Sequence, residues 1–250
     1  MGVMKKEGQT TIDILSANKT TLELLHKDPN NRDRSYEHFH RAFIEQLNKA
    51  EAERDLDYLT LHLFAYLASW GMLRGSTFSL QKDYLFHKPI IEILLDEKYK
   101  RLLDISWEDL DEDAIRDILD LKARITAYYK GESYISSVYA SAPEIKRIAC
   151  VHDVLVSKIL LGSYSCVLAY DTNVRGGLKS KGLCQSFGKR SLSQLKEFAG
   201  EHAEELAEAS RLMEAERGMK YSDMKLLDSY FFALGAAEYE KKRALESQLG

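Results

Sequence analysis

Proline fixes its own backbone angle and has no N–H to donate, so each one in a helix interior breaks a hydrogen bond. This chain has three in 250 residues, Pro29, Pro89 and Pro143. Nothing else in the sequence limits the fold so strongly, because the long proline-free intervals favour uninterrupted helices over a turn-rich β architecture. Each proline also sits where a helix can begin or end. Asp28-Pro29-Asn30-Asn31 is a loop signal, Pro89 suits a first helical turn, and Pro143 opens a helical stretch.

Apolar periodicity fills the intervals. It predicts helices over 11–25, 33–54, 55–71, 89–100, 107–129, 145–161, 191–217 and 223–245, with a further start near Ser76 or Thr77. In 55–71 apolar residues cover almost the whole circumference, the pattern of a central buried helix. Ser106 is placed to cap the helix at Trp107, with Glu108, Asp109, Asp111, Glu112 and Asp113 as a solvated acidic helix start, and Ser222 to cap the last helix. Lys130-Gly131-Glu132-Ser133 reads as a turn, and 134–139 as a short strand or more loop. The expectation is an all-α protein, with 1–54 as an N-terminal helical extension to a helical domain over 55–250 and no linker between them.

Hydrophobic residues at 45% allow one sizeable core, and a net charge of −4 excludes a general polyanion binder. Three cysteines without a Cys-x-x-Cys pair fit a reducing compartment and argue against a disulfide framework or zinc ribbon. There is no secretory signal and no apolar run long enough for a membrane span, so a cytoplasmic protein is expected. Phosphate-binding glycine loops, His-Glu-x-x-His and a serine nucleophile elbow are absent, which removes nucleotide hydrolysis, zinc peptidase and esterase chemistry. No metal or cofactor is expected.

One stretch departs from the rest. An apolar run and a Gly162–Ser165 break lead into Leu168-Ala169-Tyr170-Asp171-Thr172-Asn173-Val174-Arg175. Over 172–196 the chain then carries Arg175, Lys179, Lys181, Lys189, Arg190 and Lys196 with no acidic residue. A carboxylate at a helix N-cap accepts backbone N–H bonds at the positive end of the dipole and stays ionised. At a cleft mouth such a group can stabilise an oxocarbenium-like transition state and orient water, the electrostatic task in breaking a glycosidic bond. The basic strip suits phosphates. The plain alternative is a helix cap beside a solvated loop.

The run Val167-Leu168-Ala169-Tyr170-Asp171-Thr172-Asn173-Val174 resembles the end of the catalytic region of the helix-hairpin-helix DNA glycosylases, the superfamily of endonuclease III-like and 8-oxoguanine glycosylases. The likeness covers roughly 154–178. It implies a helix-hairpin-helix glycosylase-like fold, DNA as partner, Asp171 as catalytic carboxylate, and Arg175, Lys179, Lys181, Lys189 and Arg190 as DNA-binding residues. Two departures bear on mechanism. The family's glycine-rich hairpin is replaced by Ile148-Ala149-Cys150-Val151-His152-Asp153. The lysine nucleophile of bifunctional members, eighteen or nineteen residues before the aspartate, is replaced by Asp153 or His152, with Lys158 more than a turn further on. A monofunctional enzyme is therefore expected, acting on a damaged or modified base such as a bulky phage-type modified cytosine, as a monomer in repair or antiphage defence.

Trp70, Arg74, Phe78, Gln81, Tyr84 and His87 surround a Gly71/Gly75 break, and aromatic and amide groups of this kind suit a flipped base. Trp70, Arg74, Tyr84 and His87 are the pocket candidates, with aromatic core packing as the alternative. His62 and His202 sit on apolar stripes as packed histidines. Two other functions stay open. Arg34 and His40 in Arg34-Ser35-Tyr36-Glu37-His38-Phe39-His40 have the spacing of HEPN-type ribonucleases, and a non-catalytic helical binding module would carry the same composition. The module and the glycosylase differ in whether Asp171 faces a cleft or is used up in capping.

Overall fold

The most deeply buried helix is α6, Asp153–Ser163, in which every residue from Leu155 onward is buried. The computed structural model describes residues 12–73, 79, 82–135, 146–148 and 151–249. It is an all-α protein with one short pair of strands among those residues. The helices are α1 (Ile14–Lys27), α2 (Arg34–Leu47), α3 (Leu56–Ser69), α4 (Lys88–Leu94), α5 (Glu112–Gly131), α6, α7 (Thr172–Ser180), α8 (Lys189–Glu201), α9 (Ala203–Arg217) and α10 (Asp223–Leu249). Strands β1 (Ser133–Ile135) and β2 (Lys146–Ile148) pair antiparallel, with Tyr134 opposite Arg147. Among the described residues no helix is long and apolar enough to cross a membrane.

Helix α6 packs against α2, α3 and α5, while α10 packs against α7, α1 and α9. Buried polar groups tie these two sets together. Glu37 of α2 accepts from Arg217 Nε and Nη2 at 2.7 and 2.8 Å and from the Tyr221 hydroxyl at 2.9 Å. The Tyr36 hydroxyl meets Ser165 Oγ at 2.8 Å, and Ser165 Oγ meets Ser222 Oγ at 2.8 Å. Residues of α1 and α2 thus belong to the same hydrophobic core as the rest of the chain.

Several expected boundaries move, each for a local reason. α3 is not the central helix: Leu61 and Tyr58 are exposed, and its buried side is limited to Leu59, Thr60, Leu63, Tyr66 and Leu67. An all-round apolar pattern shows that a helix is hydrophobic without fixing its depth. The helix expected from Trp107 begins at Glu112, because Ser106 Oγ is engaged with Asp109, while Asp111 accepts from Ala114 N at 2.7 Å and supplies the cap. The stretch 191–217 is two helices. The His202 ring takes the Phe198 carbonyl at 2.8 Å, and its backbone N–H goes to Ala199 O, so the i→i−4 ladder is interrupted there. The helix expected from 145 begins only at Asp153, since Lys146–Ile148 is strand. The helix start near Ser76 or Thr77 lies outside the described residues. Ser222 caps α10 as expected, accepting from Lys225 N at 3.1 Å.

Helices α7 and α10 approach more closely than side chains normally allow. A Cβ added at Gly235 would collide with the Asn173 carbonyl, one at Gly177 with the Phe231 carbonyl, and one at Gly176 would lie 3.4 Å from Gly235 Cα. Gly235→Ala should therefore cost about 1–3 kcal/mol through overpacking. Gly131→Ala, with nothing within 4 Å of the new methyl, should be neutral or slightly stabilising. Thermal melts of the two variants check this contrast; equal melting temperatures would mean that the helices can part without cost.

Candidate functional site

A cavity of about 510 Å³ opens where α1, α2, α3, α6 and α10 meet the start of α7. Asp171 is the N-cap of α7. Its Oδ1 accepts from Asn173 N and Val174 N, both at 3.1 Å, while Oδ2 lies 3.3 Å from Lys158 Nζ. One carboxylate oxygen is thus consumed in capping and the other belongs to the cavity wall. Tyr170, just before it, has φ +46°, a strained angle for a bulky residue. The strain is held by packing: the Tyr170 ring stacks on Phe187 with centroids 5.1 Å apart, and its hydroxyl meets Ser191 Oγ at 2.6 Å. This backbone kink turns a fully buried run, Val167–Tyr170, into a helix whose N-cap carboxylate is about one-fifth exposed.

Lys158 reaches the same place from α6. It is 4% exposed, and its ammonium sits 4.5 Å from the Trp70 ring centroid as well as beside Asp171. Arg32 lies 5.0 Å from the same indole, so Trp70 faces two cations. From α10 come Lys225 and Asp228, both buried and 3.7 Å apart, with Lys225 Nζ 5.1 Å from the Tyr36 ring. Asp228 Oδ1 accepts from Ala169 N at 2.8 Å, which anchors the strand of chain leading to Asp171. Burial pushes the Asp228 carboxyl above the usual carboxylate range, and the charge of Asp171 adds to that. Lys225, the Ala169 N–H and Lys158 pull the other way without reversing it.

The cavity lining holds Arg32, Lys158 and Lys225 against Asp28, Asp33, Asp171 and Asp228. With carboxylates at least matching cations, a phosphate gains little inside. The aromatic walls, Tyr36, Tyr66, Trp70 and Phe232, suit a planar uncharged or cationic group. Among the described residues no group of three or more His, Cys, Asp or Glu side chains is placed to hold a metal ion.

The basic strip lies away from this lining. Arg175, Lys179, Lys181, Lys189 and Arg190 are all exposed. The nine-residue α7 carries Arg175 in its first turn and Lys179 near its end, about 6 Å further along the axis. Lys189 pairs with Glu112 at 2.5 Å, and Lys181 lies 5.9 Å from the Tyr230 ring.

Of the four pocket candidates, Trp70 lines the cavity, and Arg74, like Phe78 and Gln81, lies outside the described residues. Tyr84 and His87 are elsewhere, on the 3-10 turn Tyr84–His87. The Tyr84 hydroxyl donates to Asp57 at 3.0 Å. His87 is fully buried with Nδ1 2.8 Å from the Tyr129 hydroxyl, and burial lowers its pKa to about 4, so it stays neutral as a core group. The Arg34/His40 pair does not line an open cleft either. His40 is completely buried, stacked on Tyr36 and bonded to the Ser163 carbonyl and the Asp104 carboxylate at 2.8 and 3.1 Å. At the hairpin position, Ala149 and Cys150 lie outside the described residues, β2 precedes them, and Asp153 pairs with Lys122 at 2.9 Å.

Lys158, Lys225 and Asp228 are the cavity residues that periodicity did not select. Their signal was available as charge on otherwise apolar faces: Lys158 among Leu155, Val156, Ile159 and Leu160, and Lys225 and Asp228 among Met224, Leu226, Leu227 and Phe231. No family model, no curated protein and no solved structure matches this chain.

Proposed function

We propose that the protein hydrolyses the N-glycosidic bond of a damaged or modified base in DNA, with Asp171 as the group that stabilises the sugar cation and directs water onto it. The observation that carries the reading is the division of labour at Asp171. Its Oδ1 is fixed by two backbone N–H groups, its Oδ2 is held beside Lys158, and the residue lines a cavity large enough for a base and walled by Trp70, Tyr36 and Tyr66. A carboxylate held this rigidly loses no reorganisation energy when positive charge develops at the sugar. The cavity's carboxylates disfavour phosphate, so the reading places the nucleoside inside and the strand outside, along Arg175, Lys179, Lys181, Lys189 and Arg190. The helix-hairpin-helix likeness supports the roles of α6, the turn and α7. The strand pair ahead of α6 departs from it.

Lys158 changes the argument about strand cleavage. Its place in sequence does not match the family's nucleophile, yet in space its amine is beside Asp171. Its nitrogen is held between the Asp171 carboxylate and the Trp70 ring rather than aimed at a sugar. Within this reading Lys158 is the counter-ion that orients Asp171, and water is the nucleophile. Borohydride added during turnover should trap no covalent protein–DNA adduct. An adduct that disappears in Lys158→Ala would make the enzyme a lyase as well.

Asp171→Asn keeps the capping oxygen and removes the charge. Base release from a panel of modified duplexes should fall by roughly 10²–10³, corresponding to about 2.7–4 kcal/mol of barrier. Fold and DNA affinity should be nearly unchanged. Full release by a folded Asp171→Asn protein would remove Asp171 from the mechanism.

The second reading, a non-catalytic binding module, draws on the Lys158–Asp171 ion pair, which already neutralises the carboxylate. The glycosylase and a nucleic-acid-binding module both need the strip to meet phosphates, a protein-binding module does not, and salt dependence tests that. Each phosphate contact releases about one counterion and contributes a slope near −0.9 in log affinity against log salt. Replacing Lys179 and Lys181 together by alanine should weaken duplex binding and flatten the slope by about two. Stability should hardly change, as exposed lysines contribute little. Anisotropy titrations at several salt concentrations decide it; an unchanged slope would return the strip to an ordinary solvated surface.

A further inference from the structure

Breaking a glycosidic bond sets two tasks, and Asp171 answers only one of them. The sugar needs negative charge nearby, whereas a departing base that is a poor leaving group needs a proton. Enzymes that use carboxyl groups for both separate them by environment, keeping one ionised and the other protonated. Asp171, capped and ion-paired, fits the ionised role. A second carboxyl lines the same cavity from α10.

We propose that Asp228 is the proton donor to the departing base, an inference that rests on the glycosylase reading of the cavity. Three observations carry it. Asp228 is 7% exposed and lines the cavity together with Asp171, so a group bound against one is within the same enclosure as the other. Its Oδ1 is taken by the Ala169 N–H at 2.8 Å, whereas among the described residues Oδ2 has only Lys225 Nζ at 3.7 Å, too far for a hydrogen bond, which leaves that oxygen for a ligand. The close glycine contact of α7 with α10 fixes the two carboxyls relative to each other.

The surrounding charges are arranged to keep them different. Facing Asp228 are Asp171 from the head of α7, Lys158 from α6, Lys225 from α10 itself, and the neutral hydroxyls of Tyr36 and Tyr66 from α2 and α3. Burial and the Asp171 charge favour the protonated Asp228 carboxyl, and they outweigh the two lysines. In the reaction the C1′–N bond breaks and its electron pair passes to the base, which takes the proton from Asp228. Water adds its oxygen to C1′ and releases one proton to solvent, from which the Asp228 carboxylate is reprotonated. The sum is hydrolysis, with no other reactant.

Two measurements test this. The first is single-turnover base release by wild type, Asp171→Asn and Asp228→Asn from a duplex containing hypoxanthine and one containing N7-methylguanine. Hypoxanthine leaves as a neutral base only if protonated; N7-methylguanine is already cationic and leaves without a proton. Asp228→Asn should lower the hypoxanthine-to-methylguanine rate ratio by about 10²–10⁴, the usual contribution of a positioned acid. Misfolding would lower both rates alike and leave the ratio unchanged. The second is the carboxyl carbon-13 resonance of Asp228, assigned by its loss in Asp228→Asn and followed against pH in the free protein. It should titrate above the range of an ordinary carboxyl, as burial beside Asp171 directs. An unchanged ratio, or an Asp228 already ionised at pH 5, overturns the proton-donor role while leaving Asp171 in place. Full release by Asp171→Asn, or no release by wild type from these two duplexes or from any duplex of the modified panel, overturns the glycosylase reading and the donor together.

Discussion

The contact between α7 and α10 sets most of what is distinctive about this protein. Gly176 and Gly177 on one helix and Gly235 on the other leave no Cβ between the backbones, so Asn173 and Phe231 carbonyls lie against the facing helix. Helices with ordinary side chains at the crossing sit about 8–10 Å apart. Here the two close further, and that brings the head of α7, with Asp171, onto the same wall as Lys225, Asp228 and Phe232 of α10. The cavity lies beside the crossing, and α1, α2, α3 and α6 complete the enclosure.

Within that enclosure lie charges that stability alone gives no reason to keep. Lys158, Lys225 and Asp228 are buried, and Asp171 is about one-fifth exposed. Taking such groups out of water is expensive, and replacing a buried ion pair by apolar residues is often neutral or stabilising. A core built only for stability would have continued the apolar faces of α6 and α10 through these positions. The strained Tyr170 backbone points the same way, since it costs about 1–3 kcal/mol and is held in place by Phe187 and Ser191. Buried charge and local strain at one cavity are the physical grounds for placing function there. Tyr84, His87 and His40, which share only residue type with a site, are held in partnerships of their own, and both histidines are core groups.

Much of the helical architecture was legible in the chain because helices form through contacts within four residues. The caps at Asp171 and Ser222 and the loop at Pro29 are local facts, and they appear where the residues put them. Boundaries failed where a side chain competed with the ladder. Ser106 turned toward Asp109 and Asp111 took over the cap; His202 captured the Phe198 carbonyl and divided one expected helix into two. The residues before α6 were read as helix from their apolar spacing, but cross-strand pairing with Ser133–Ile135 drew Lys146–Ile148 into an extended conformation. Pairing with a distant segment leaves no trace in local periodicity.

By itself, then, the sequence determined an all-helical chain, a carboxylate at the head of a helix, and a basic stretch following it. The tertiary structure decided which other groups that carboxylate meets. Lys158, thirteen residues away, is beside Asp171 because a buried helix ends in a tight turn and the chain doubles back along it. Asp228 is there because three glycines let α10 lie against α7, and Trp70 because α3 packs on α6. Each of these meetings depends on the distance between elements far apart in the chain. That distance is fixed by packing volume and by the absence of side chains at a crossing, and neither can be read one residue at a time.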